Sequence, residues 1–96
     1  MLVGLVEDLT LKDVETRVIN WLVKRCPRAE AVNEAVIELG MTKRVLAGEL
    51  GTSSETLSRT FARLRDDKIL DVKGNVLRVR DVARLRARFR RLLGEG

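Results

Sequence analysis

The stretch TKRVLAGELGTSSETLSRTFARLRDD, residues 42–67, constrains this chain more than any other, because two short amphipathic patterns meet in it at a glycine. In the first, Val45, Leu46 and Leu50 give a helical apolar face, with Thr42 at the N-cap position. Gly51 falls where a helix that turns sharply wants a left-handed residue, so this helix is predicted to stop at Leu50. A second start signal follows at once. Ser53 can cap, Glu55 sits in the first turn where the helix dipole favours a carboxylate, and Leu57, Phe61 and Leu64 recur at spacings of four and three. The expectation is helix, tight turn, helix.

Two helices that cross steeply over a turn of about three to four residues need a small residue at the close approach, a glycine in the turn and an apolar anchor from the second helix. Ala47, Gly51 and Leu57 supply these in order. With Leu57, Phe61 and Leu64 facing inward, Glu55, Arg59, Ala62 and Asp66 lie roughly opposite, and Ser58 lies beside them. That outer stripe begins with side chains able to read bases.

After this pair, the β-branched-rich runs 69–72 and 76–79 are separated by Lys73, Gly74 and Asn75, which predicts a tight hairpin with Lys73 at its tip. Upstream, Thr10 and Asp13 resemble a capping pair for a helix carrying Val14, Val18, Trp21 and Leu22, supported by Leu11 and Ile19 and ending near Arg25 before Pro27. Trp21 lies on its apolar stripe and is expected to be a core or interface residue. Downstream, Val82, Leu85, Phe89, Leu92 and Leu93 predict a helix with Asp81 as cap and Gly94 as stop. Its other face carries Arg84, Arg86, Arg88, Arg90 and Arg91, which suit DNA, another chain, an anionic membrane or plain solvent, the last being favoured.

GTSSETLSRTFARLRDDKIL followed by DVKGNVLRV resembles the helix-turn-helix and wing of the transcription regulators typified by the cyclic-AMP receptor protein and FNR, over about residues 36–79. Glu55, Ser58 and Arg59 match the E-x-x-S-R signature of the FNR branch, whereas Ser54 stands where the receptor-protein branch has an arginine. The resemblance implies a mainly α fold with a small β-hairpin wing, a winged helix-turn-helix over 10–96. It further implies that 1–9 is the stub of a dimerisation helix, beside the alternative of an N-terminal arm packed on its own domain, and that 36–39 is a strand; residues 28–35 are expected to be loop or irregular turn, although 29–36 could also be helical by propensity. The implied partner is double-stranded DNA, bound by a homodimer at a palindrome of TGA-like half-sites, with RNA polymerase as a further candidate partner. No cofactor is implied in this chain, because the family places its effector in an upstream domain that these residues do not supply.

Within that reading, the helix near 53–67 lies in the major groove and Glu55, Ser58 and Arg59 read bases. Thr42, Lys43, Arg44, Thr52, Ser53, Thr56, Arg63 and Lys73 are candidates for phosphate contacts, Arg63 the weakest among them. Glu55 and Arg59 also stand at the spacing and orientation of an intrahelical ion pair, so taken alone the pair favours a solvated helix, and only the surrounding helix-turn-helix and wing reverse that reading.

Charge supports the polyanion, with 19 Lys and Arg against 14 Asp and Glu for a formal net charge of +5 in 96 residues. The absence of histidine removes the usual general base and the commonest metal ligand, and no convergent catalytic set replaces it, so an enzyme is not expected. Cys26 is the single cysteine and is read as a partly buried filler. No apolar run of membrane-spanning length and no export signal is present, which places the expected location in the cytoplasm. A winged helix serving as a protein-interaction module is the competing reading, and salt-sensitive duplex binding discriminates the two.

Overall fold

The structure is a computed structural model that describes residues 13–26 and 33–94. The expected stub at 1–9, the capping role of Thr10 and the loop over 28–32 lie outside the described residues. Helix α1 (Val14–Arg25) starts on Asp13, whose carboxylate accepts from the Thr16 amide at 2.8 Å. Strand β1 (Ala35–Glu38) follows, then helix α2 (Lys43–Glu49) and helix α3 (Ser54–Asp66). The hairpin β2 (Leu70–Lys73) and β3 (Val76–Val79) leads into helix α4 (Val82–Leu92).

The hairpin does not stand alone. β1 pairs antiparallel with β3, which also pairs with β2, giving a three-stranded sheet in the order β1-β3-β2 with Ala35, Val79 and Leu70 in one row. Gly74 takes a positive φ of 61° and Asn75 does not, the pattern of a two-residue hairpin with glycine at its first loop position. The Leu39 amide donates to the Asn75 carbonyl at 2.8 Å, so the end of β1 ties down the hairpin tip. β1 begins one residue earlier than the expected 36–39, and its alternation buries Ala35 and Ile37 while Val36 stays 66% exposed.

The core lies between the sheet's inner face and the helices. Val18, Ile19 and Leu22 of α1, Leu46 and Ala47 of α2, and Leu57, Phe61 and Leu64 of α3 are buried with Leu70, Leu77, Val79, Val82 and Leu85. Val45 departs from expectation and is 52% exposed. In a helix of 7 residues the inward arc is set by Leu46, Ala47 and Leu50, and Val45 lies about 100° from Leu46 around the axis. Leu93 also leaves the core, because it is the C-cap of α4 and lies beyond the last regular turn. Trp21 is buried as expected, and the Arg25 guanidinium lies 3.8 Å from its ring centroid, a cation–π contact. Cys26 is buried; that burial raises its thiol pKa, and the nearby positive charge of Arg86 only partly counters it.

Both helices of the central pair end in the same way. After α2, the Thr52 amide bonds the Ala47 carbonyl and the Gly51 amide bonds Gly48; after α3, the Ile69 amide bonds Leu64 and the Lys68 amide bonds Arg65. These are Schellman motifs, which need a left-handed residue at their pivot. Gly51 provides φ +72° at no steric cost, but the second pivot is Lys68 at φ +61°. A left-handed non-glycine residue costs about 1–2 kcal/mol, partly offset in a Lys68→Gly variant by the greater chain entropy glycine loses on folding. Lys68→Gly is therefore expected to stabilise the domain by up to about 1 kcal/mol, read as a rise of several degrees in melting temperature. A lower melting temperature would contradict this account of the pivot.

Candidate nucleic-acid interface

The site is built around α3. Ser53 Oγ accepts from the Thr56 amide at 3.1 Å and donates to Thr56 Oγ1 at 3.0 Å, which fixes the first turn. Leu57 and Leu64 are 0% exposed and Phe61 is 4% exposed, so one face of α3 is fully committed to the core. Thr60 joins them although polar, because its hydroxyl donates to the Thr56 carbonyl at 2.9 Å. The rotational setting of α3 is thereby fixed, and the opposite face is defined with it.

On that opposite face Glu55, Ser58 and Arg59 are exposed. Glu55 and Arg59 make no ion pair or side-chain hydrogen bond among the described residues, so the intrahelical pair that their spacing permits is not formed. The carboxylate and the guanidinium, about one helical turn apart, both keep their hydrogen-bonding capacity for another molecule.

The turn that aims α3 is held from behind. Arg17 Nη1 donates to the Leu50 carbonyl at 3.1 Å and approaches the Gly51 carbonyl at 3.5 Å, placing a cation at the negative end of α2. A Cβ on Gly51 would lie 3.3 Å from that nitrogen. Sequence spacing gives no sign of this bond, which joins positions more than thirty residues apart.

The proposed backbone contacts divide into groups. Thr42 caps α2, its hydroxyl accepting from the Val45 amide at 3.1 Å, with Lys43 and the exposed Arg44 following in the first turn. Lys43 and Ser58 line one cleft with Phe61, Ala62, Arg65 and Val72. Lys73 is exposed on the wing and lines an adjoining groove. Thr52 and Thr56 are half-buried, and Ser53 is exposed but already engaged in capping.

Arg63 is already engaged within the protein. Its Nη1 lies 3.0 Å from Glu15 Oε1, and Glu15 Oε2 accepts from Arg88 Nε at 3.0 Å. Arg88 also donates to Asp67 Oδ2 at 2.7 Å. This network pins α1, α3 and α4 together and holds Arg63, one turn beyond Arg59 on α3, against Glu15. Burial alone would weaken the hold of Arg88 on its proton, but the bonds to Asp67 and Glu15 more than offset it and raise its pKa. The tail helix is thus partly a structural clamp, while Arg84, Arg90 and Arg91 remain exposed on it. None of the helices among the described residues is long and apolar enough to cross a membrane.

Comparison with known proteins agrees with the fold. A family model described as the Crp-like helix-turn-helix domain matches residues 16–88. Among solved structures, a protein from Ruegeria pomeroyi DSS-3 described as a candidate cyclic nucleotide binding protein is 32% identical, covering 92% of this chain and 38% of that one, with a TM-score of 0.73. The CO-dependent transcription factor CooA from Carboxydothermus hydrogenoformans, in its imidazole-bound form, is 23% identical over 91% of this chain and 41% of its own, with a TM-score of 0.69. Reduced CprK without ligand has a TM-score of 0.68 at 19% identity, covering 85% of this chain and 40% of that one. The comparison with curated proteins returns no match. The chain spans about two fifths of the length of these structural relatives.

Proposed function

The chain belongs to the Crp-like helix-turn-helix family, and from that premise we propose that it is the sequence-specific DNA-binding domain of a Crp/Fnr-type transcription regulator. α3 lies in the major groove of a TGA-like half-site. Arg59 donates two hydrogen bonds to O6 and N7 of a guanine, and Glu55 accepts from the amino group of a cytosine or adenine. Ser58 adds a hydrogen bond or a close fit. Two copies bind a palindrome with half-site centres about 34–36 Å apart, one turn of the duplex.

The observation that carries this reading is the outer face of α3, where Glu55 and Arg59 are exposed and unpaired among the described residues while the inner face is locked in the core. Lys43, Arg44 and Lys73 supply cations around that face for the phosphates, with Thr42, Thr52, Ser53 and Thr56 as polar contacts. Arg63 contributes only after release from Glu15. RNA polymerase, and an effector held by another part of a longer protein, complete the proposed setting.

Titration of a palindromic duplex with TGA half-sites and of a scrambled duplex, each at several salt concentrations, tests the proposal. Tighter binding to the first, with affinity falling as salt rises on both, supports it. Lys73→Ala is expected to weaken both duplexes by a similar factor, since a phosphate contact carries no sequence information. Salt-insensitive or absent duplex binding would instead favour a protein-interaction module.

A further inference from the structure

We propose that Arg65, which the spacing of the sequence does not single out, grips a phosphate of the DNA strand that passes between α3 and the wing. This inference rests on the DNA-binding reading above and deepens it. Arg65 follows Ser58 by seven residues, close to two helical turns, so it lies on the same stripe as Ser58 and Ala62. It is exposed, unlike its neighbour Leu64.

Its position among three elements is what sets it apart. The cleft it shares with Lys43 and Ser58 and the groove it shares with Lys73 adjoin at Arg65 and Val72. Arg65 therefore stands between the cation that opens α2 and the cation at the wing tip. A strand whose bases meet Ser58 and Arg59 has its phosphates carried past that line if it also meets Lys73.

The competing anions are weak or occupied. Asp66 Oδ1 lies 3.8 Å from Arg65 Nε, with the two side chains 74% and 60% exposed, an arrangement that holds a guanidinium little. Asp71 in the same groove faces Arg80 at 3.7 Å. Arg78, the other arginine there, is taken by Glu34 at 2.8 Å. The terminal nitrogens of Arg65 have no partner among the described residues. A planar guanidinium presents them as a fork that matches two phosphate oxygens.

The test compares wild type, Arg65→Ala, Arg65→Lys and Arg84→Ala as full chains, titrated with the TGA palindrome and with scrambled DNA over a range of salt. Each phosphate neutralised contributes about 0.9 to the slope of log affinity against log salt, so Arg65→Ala should lower the slope by about that much per copy bound. It should weaken both duplexes equally, keep the wild-type melting temperature, and be rescued in slope by Arg65→Lys. Arg84→Ala, on the exposed side of α4, should change nothing and serves as the control. An unchanged slope for Arg65→Ala overturns the inference while leaving the DNA-binding reading intact, and so does a loss confined to the TGA duplex, which would make Arg65 a base reader. Wild type that binds neither duplex overturns both.

Discussion

Leu57→Ala is expected to destabilise the domain by about 2–5 kcal/mol, the cost of removing a fully enclosed leucine when the surrounding core relaxes only in part around the gap. Leu57 is 0% exposed and is the first inward residue of α3, immediately beside Ser58 on the outer face. Natural domains have only about 5–15 kcal/mol of stability, so this single change removes a large share of the total. Urea unfolding checks it: the midpoint should fall with an unchanged slope, as for a loss of stability without a change in the unfolded chain. Ser58→Ala, one residue on, should shift stability by less than about 0.5 kcal/mol because its side chain is exposed. If the two variants cost about the same, Leu57 is not the anchor that sets the angle of α3.

The second large effect concerns specificity. Arg59→Ala is expected to reduce the preference for the TGA palindrome over scrambled DNA by about 1–3 kcal/mol per half-site, about a 5- to 150-fold loss, with little change in melting temperature. Those two expectations follow from one fact. Arg59 makes no ion pair with Glu55 or with any other described residue, so its removal breaks nothing in the free protein and everything it contributes appears on binding. Were it a structural residue, the melting temperature would fall and both duplexes would be affected alike. Competition binding at fixed salt, paired with thermal melts, separates the outcomes.

The parts of this fold legible in the sequence were those with local causes. Thr42, Ser53 and Asp81 cap the helices that their spacing predicted, and Gly51 and Gly74 take the positive φ that their turns demand. A cap or a turn is decided by a few adjacent residues, and their chemistry is printed in order. The outer stripe of α3 was legible for the same reason, since helical period alone sets Glu55, Ser58 and Arg59 opposite Leu57, Phe61 and Leu64.

What escaped was long-range or contrary to propensity. Glu15 meets Arg63 and Arg88 across 48 and 73 positions, and nothing in a charged face reveals which carboxylate it will find. Arg63 stood as a phosphate candidate for that reason, and Arg65, its neighbour by two, did not. The left-handed Lys68 is invisible to a reading that expects glycine at such a pivot, as is the burial of Thr60. The hairpin was foreseen, but its third strand was implied by family resemblance because a run of four residues carries little pattern of its own.

A duplex in which the guanine of each TGA half-site is replaced by 7-deazaguanine removes the N7 acceptor and leaves base pairing in place. Binding of wild type and Arg59→Ala to the natural and substituted duplexes forms a thermodynamic cycle across the interface. Wild type should lose affinity on substitution, and Arg59→Ala should bind both duplexes equally. If both proteins lose affinity by the same factor, Arg59 does not read that guanine and the account of base recognition by Arg59 fails.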